Sequence, residues 1–312
     1  MSSTITPSKN RDDASAEALS IANAELQQWK TSAIAAEQSL PGVFSAEFLQ
    51  ETLALTRRLF IQLQRRPSTL IAGVIQPLMW LILFGALFQN IPAGLFGESQ
   101  NYGQFLGAGI IVFTAFAGAL NAGLPVMFDR EFGFLNRLLV APLASRFSIV
   151  VASALFIAAM SFVQTAAIVI ASAFLGAGLP SAAGLMLMAL IVFTLVLGVT
   201  ALSLGLAFAL PGHIELIAVI FVTNLPLLFS STALVPITFM PRWLQVVASL
   251  NPLSYAIEPI RYLYLHESWS FASPVLQAPW GSVSLGMSLV ILVGFSAIAL
   301  TLIQPLLRRR IA

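Results

Sequence analysis

From Phe147 to Ile214 the chain runs for 68 residues without one Asp, Glu, Lys or Arg. A helix of roughly 20 apolar residues crosses the roughly 30 Å of hydrocarbon in a bilayer. The run therefore has room for two crossings, divided at Gly176–Pro180. Open strands are excluded there, because their backbone groups would go unpaired in lipid. The rest of the chain agrees: 58% of it is hydrophobic and 9% charged, against about 45–50% and 25% in soluble domains. Seven of the 15 Lys/Arg and seven of the 13 Asp/Glu also precede position 68. What remains cannot cover a water-soluble surface, which excludes a soluble enzyme, a secreted disulfide scaffold and a disordered chain.

Six apolar stretches have the length of a span: Ser68–Phe88, Gly103–Phe128, Phe147–Leu175, Ser181–Leu210, about Leu216–Val235, and Gly281–Leu307. Counting Lys and Arg by connecting segment gives 13 on the side of the two termini and two, Arg242 and Arg261, on the other. The positive-inside rule then puts both termini in the cytoplasm. Residues 1–42, rich in Ala, Ser, Glu and Gln, are expected to be a weakly ordered cytoplasmic tail. Residues 43–67 are expected to hold an amphipathic helix. Phe48, Leu49, Leu53, Leu55, Leu59, Phe60 and Leu63 share one arc of it, and Glu47, Gln50, Glu51, Arg57, Arg58, Gln64 and Arg65 fall largely on the other. Immediately before a span, such a helix belongs in the membrane interface. Arg57–Arg58 before an apolar run resembles a twin-arginine export signal, but the run is too long and no small-residue cleavage site follows.

The net charge is only +2, and the basic clusters Arg57–Arg58, Arg65–Arg66 and Arg308–Arg310 flank apolar segments, so no nucleic-acid partner is expected. Zero cysteines remove disulfides and thiolate metal sites. A phosphate-binding loop needs clustered glycines and a lysine; only Lys9 and Lys30 exist, in the polar tail. No catalytic residue, metal site or resident cofactor is expected in this chain. An intramembrane enzyme would need a nucleophile with its base or a metal set, and a secondary carrier would need midplane ionisable residues and an internal repeat. Neither pattern is evident.

Two connections stand out. The loop after the second stretch reads Asp129-Arg-Glu-Phe-Gly-Phe-Leu-Asn-Arg-Leu-Leu-Val-Ala-Pro142, with Leu135, Leu138 and Leu139 at helical spacing and Pro142 ending the pattern. Two readings fit it: a short amphipathic helix that docks in a groove on a partner, or a plain interfacial loop whose arginines anchor topology. The fifth connection, Pro236–Trp280, is the longest. Two short amphipathic helical pieces meet there at Asn251-Pro252, since the residue before proline avoids helical backbone. They suggest a re-entrant hairpin dipping into the outer leaflet, with Tyr255, Tyr262, Tyr264, Trp269 and Trp280 as an interfacial aromatic belt.

The residues Arg130-Glu131-x-Gly133-x-x-x-Arg137-Leu138-Leu139-Val140-x-Pro142, followed by Asn251-Pro252-Leu253-Ser254-Tyr255-Ala256-x-Glu258-x-x-Arg261, resemble the ABC-2 type transporter permeases, nearest the branch of drug-resistance and lipo-oligosaccharide exporters. The resemblance covers about residues 46–310. It implies an all-α integral membrane domain at 68–312 with six transmembrane helices, an N-terminal interfacial helix, and an outer re-entrant hairpin between spans five and six. It implies an exporter of drug, lipid or glycolipid in the cell membrane, energised by a separate ATPase subunit that holds ATP and Mg, and paired with a second copy or a related permease. Glu131–Pro142, with Arg130 before it, would be the coupling helix on the ATPase. Asn251, Pro252, Tyr255, Glu258 and Arg261 would belong to the exit gate. Phe132, Phe134 and Asn136 depart from the more polar residues of many relatives.

Polar residues within the spans are few. Gln76, Asn121, Gln164, Asn224 and Gln304 are expected mainly to bond between helices. Gln76 and Asn224, beside Pro77 and Pro226, are the candidates for cargo contact. Gly107, Gly109, Gly118, Gly198 and Gly205 are expected to permit close helix packing. His213 and Glu215 are expected to be solvated in a turn.

Overall fold

The computed structural model describes residues 46–65, 67–88, 102–133, 147–174 and 178–311, with residues 27 and 90 standing alone. Apart from residue 27, the tail at 1–42 lies outside the described residues. Ten α-helices are described: α1 (Ala46–Arg65), α2 (Pro67–Leu87), α3 (Tyr102–Leu120), α4 (Gly123–Glu131), α5 (Phe147–Phe174), α6 (Ala182–Ala209), α7 (His213–Phe229), α8 (Arg242–Leu250), α9 (Pro252–Leu265) and α10 (Leu285–Ile311). Among the described residues four apolar runs have the length and composition to cross a membrane: α3 continued through α4, α5, α6 and α10. The stretches read as spans one and five form α2 and α7. The 17 residues of α7 extend about 26 Å, just short of the hydrocarbon thickness.

The long charge-free run forms α5 and α6 as expected. Ser181 caps α6, its hydroxyl accepting the Gly184 N–H at 3.1 Å. α6 is apolar on every face and is buried on nearly every face, packed by α10, α5, α3, α9 and α4. The outer helices are the reverse. On α2, Ile71, Ile75, Met79, Ile82 and Leu83 are exposed, and on α7 Ile217, Phe221, Val222 and Leu225 are exposed. Such continuous apolar rows facing outward suit a hydrocarbon solvent.

The second stretch is not one straight helix. It breaks at Asn121–Ala122, because Pro125 has no N–H to return to Asn121 and its ring opposes that carbonyl. The opened ladder is repaired from α6. The Ser203 hydroxyl donates to the Leu120 carbonyl at 2.6 Å and accepts the Gly123 N–H at 2.9 Å.

Expected close packing at glycine is met at Gly109, where an added Cβ would overlap the backbone of Ala233. At Gly118 the same Cβ would sit 3.9 Å from Gln164 Oε1, an ordinary contact. Gly109→Ala is therefore expected to cost about 1–3 kcal/mol by overpacking, and Gly118→Ala close to nothing. Thermal melting of the two purified variants in the same detergent checks the pair. Equal melting temperatures would remove the close approach of α3 to the 230–235 turn.

Two expectations need correction. The region is not wholly α-helical, since β1 (Pro274–Ala278) and β2 (Gly281–Ser284) form an antiparallel hairpin, Ala278 opposite Gly281. The last helix consequently starts at Leu285 instead of Gly281. Second, the two pieces expected to be alike differ, because α9 is packed inside the bundle. Nine of its residues, from Leu253 to Leu263, are buried, packed against α3, α6 and α10. α8 alone keeps an exposed apolar side, at Trp243, Val246, Val247 and Leu250.

The amphipathic helix expected at 43–67 is α1, but its apolar arc divides. Phe48 is buried, Leu55, Leu59 and Leu63 turn partly inward, and Leu49, Leu53 and Phe60 remain exposed. α1 lies along α5, where Phe60 meets Phe156 edge to face at 5.2 Å. Arg58 also reaches Asp129 of α4 at 3.1 Å.

Candidate functional site

Arg130 and Glu131 occupy the last turn of α4, beside the turn that joins α6 to α7. A helix ends with unpaired carbonyls and a partial negative charge, and begins with unpaired N–H groups and a partial positive one. Arg130 and Glu131 answer one end each. The Arg130 guanidinium donates to the carbonyls of Ala207 at 2.8 Å, Leu210 at 2.7 Å and Pro211 at 2.7 Å, closing the C-terminal end of α6. Glu131 accepts the backbone N–H of His213, the first residue of α7, at 2.6 Å, and its other oxygen meets His213 Nδ1 at 2.5 Å. Two adjacent side chains of opposite charge thus hold both ends of one interhelical turn. Phe128 stacks obliquely on the His213 ring at 5.2 Å.

The polypeptide leaves this clamp through Gly133, whose φ of +73° is open to glycine and strained for other residues. Arg137, Leu138 and Pro142 of the same motif lie outside the described residues. His213 was expected to be solvated; it is instead half-buried and paired with Glu131, while Glu215 is exposed. No spacing rule links residues 82 apart in sequence, so this contact has no signal short of the fold.

The residues around Asn251 lie at the opposite end of α7. Asn251 caps α9, its side-chain oxygen accepting the Leu253 N–H at 3.0 Å. Its Nδ2 donates to the carbonyls of Leu227 at 2.8 Å and Ser230 at 3.0 Å, tying the α8–α9 corner to the end of α7. Pro252 takes the first helical position, where its missing N–H costs no bond. The Tyr255 hydroxyl donates back to Ser249 of α8 at 2.5 Å.

Arg261 is the most enclosed charge here, with 7% of its side chain exposed against 14% for Glu258. It pairs with Glu258, donates to the carbonyls of Thr232 at 2.8 Å and Phe105 at 3.3 Å, and lies 3.6 Å over the Phe105 ring. The five residues expected in the hairpin thus lie along α9 and its cap in two groups, Asn251, Pro252 and Tyr255 at the α8–α9 corner and Glu258 with Arg261 further along the helix. Gln76 and Asn224 are not paired with one another. Gln76 is exposed on α2; Asn224 is half-buried on α7, its Oδ1 buried without a hydrogen-bond partner.

A lipid-compatible bundle with charged residues gathered at its two ends is the architecture of an integral membrane protein. Residues 50–265 match the ABC-2 type transporter family, and the chain belongs to that family of transport permeases. It is 55% identical to the putative transport permease ycf38 of Porphyra purpurea over 87% of this chain and 93% of that one. Its likeness to ycf38 of Cyanophora paradoxa is 54%, over 92% and 98%. A more distant relative is the probable doxorubicin resistance ABC transporter permease protein DrrC of Mycobacterium tuberculosis, 26% identical over 71% of this chain and 80% of that one.

Proposed function

We propose that the chain is the membrane subunit of an ATP-driven exporter that moves an amphipathic or hydrophobic cargo, a drug, lipid or glycolipid, out of the cytoplasm. ATP and Mg belong to a separate ATPase subunit, and two permeases, identical or related, form the pore. The protein lies in the cell's inner or plasma membrane. In this reading α2, α3–α4, α5, α6, α7 and α10 are the six spans, both termini are cytoplasmic, and α1 lies at the cytoplasmic interface. Membership of the ABC-2 family and the likeness to DrrC, a probable doxorubicin resistance permease, support export.

The observation that carries the coupling role is the Arg130–Glu131 clamp. A force applied beyond Gly133 reaches the α6 and α7 ends directly through charged contacts, with no intervening loop. Closure of the paired ATPases would pull on this segment and turn α6 and α7 together. The α8–α9 pair, anchored by Asn251 at the far end of α7, would open the exit. The lack of conspicuous ionisable residues in the spans favours apolar cargo over inorganic ions, since a charge at mid-membrane costs about 2.5–3.5 kcal/mol on insertion scales.

A mild-detergent pull-down of the tagged chain tests the reading. A stoichiometric ATPase is expected with the wild type and is expected to be lost with Glu131→Ala/Gly133→Pro. A well-folded wild-type chain that brings down no ATPase would favour a secondary carrier for a small uncharged solute.

A further inference from the structure

A cavity of about 790 Å³ opens beneath α1, walled by α1, α4 and the first turns of α5. The volume is within the range of about 300–1,000 Å³ that holds a small amphiphile. Its buried wall is apolar apart from Ser153, with Val126, Ile149 and Ala152 each under one-tenth exposed. Its rim is polar and basic, with Gln62 and Arg65 of α1 exposed and Arg58 of α1 and Asp129 of α4 half-buried. Arg58 pairs with Asp129 at 3.1 Å, so the rim keeps a net positive charge at Arg65. Arg65 forms no ion pair among the described residues.

Apolar walls at one end of a membrane bundle leave an open cavity to the nearest lipid, because tails fill it at no hydration cost and water does not. The guanidinium at the rim then selects the headgroup. Basic pockets between membrane helices take anionic headgroups, and an arginine-bearing interfacial helix holds them at the right depth. We propose that this cavity binds one anionic phospholipid of the adjacent leaflet. Its acyl chain lies along Val126, Ile149 and Ala152, and its phosphate meets Arg65 with Arg58 beside it. The site concerns the protein's own lipid shell and stands whichever cargo the transporter moves.

The test is lipid retention. The full chain is reconstituted in nanodiscs of equimolar phosphatidylglycerol and phosphatidylcholine with matched chains, then released and weighed by native mass spectrometry. Wild type is expected to retain phosphatidylglycerol preferentially, one per chain. Arg65→Gln is expected to lower that preference roughly five-fold, whereas Arg57→Gln, an exposed arginine of α1 that does not line the cavity, leaves it unchanged. Ala152→Phe, which fills the apolar part, is expected to lower phosphatidylglycerol retention without touching a charge. Circular dichroism and gel filtration show that each variant is folded and monodisperse. Equal retention of the two lipids by wild type, equal losses from Arg65→Gln and Arg57→Gln, or full retention by a folded Ala152→Phe would each overturn the site. The second of these would reduce the effect to diffuse surface charge.

Discussion

Arg261→Ala is expected to lower the melting temperature of the purified protein by on the order of 10 °C, the largest single loss foreseen for this chain. The side chain is nearly enclosed, and four groups depend on it: Glu258, the carbonyls of Thr232 and Phe105, and the Phe105 ring. Removing one member of a buried pair strands the other charge, at a cost of about 3–5 kcal/mol. Each kcal/mol moves the melting temperature about 2–4 °C in domains of 150–250 residues. The same physics foresees a rescue. Arg261→Met with Glu258→Leu removes both charges and keeps the volume, and such exchanges are often neutral or stabilising. The double variant is therefore expected to melt well above Arg261→Ala alone. If Arg261→Ala melts with the wild type, the pair carries no structural role and its burial needs another cause.

Arg261 also shows where the sequence is a poor guide. Counting charges by segment treats it as one of two positive residues on a solvated side, and the count has no way to register burial. In the fold it joins α9 to α3 and to the 230–235 turn. What is readable in the sequence is what solvent dictates one residue at a time. The absence of charge from Phe147 to Ile214 requires two helices, and α5 and α6 occupy that run to within a few residues. Asn251-Pro252 joins a capping side chain to a residue suited to a first helical position, and α9 begins there. The break at Asn121–Ala122 was also readable, since Pro125 stands four residues on, but an apolar run hides a kink that costs it no hydropathy. The β1–β2 hairpin left a weaker trace. Its two-residue loop, Pro279-Trp280, and Gly281 at a φ of 141° mark a turn, yet the strands are five and four residues long and abut a long apolar helix. Arg130 left none, because its partners are backbone carbonyls and any residue supplies those.

The Arg130–Glu131 motif is therefore where sequence and structure contribute different halves. The function proposed above puts the ATPase contact at this motif. The geometry adds what stands behind that proposed contact, a clamp on the facing ends of α6 and α7. Arg130 forms three strong donor contacts from one rigid fork, which a lysine cannot reproduce because its ammonium is a single point. Hydrogen bonds to a charged group contribute about 1.5–3 kcal/mol each when sheltered. Water reaches this end of the bundle and replaces part of that loss, so Arg130→Ala is expected to cost about 2 kcal/mol in all.

Transport is expected to suffer far more than folding does. In the complex isolated with its ATPase, Arg130→Ala is expected to leave the partner bound and nucleotide hydrolysis present, while cargo movement into inverted vesicles falls at least about ten-fold, the equivalent of about 1.4 kcal/mol added to the barrier of the transport step. Arg130→Lys should fall between, keeping the charge without the fork. Glu131→Gln retains an acceptor for the His213 N–H and loses the charge facing α7, so it should impair transport less than Glu131→Ala. The ordering separates transmission from docking. A docking role alone predicts loss of the partner in step with loss of transport, whereas a transmission role predicts a bound, hydrolysing and idle complex. If Arg130→Ala, still folded and still carrying its ATPase, transports cargo at the wild-type rate, the clamp is structural and force must enter the bundle elsewhere, with α1 and its Arg58–Asp129 pair the next contact to break.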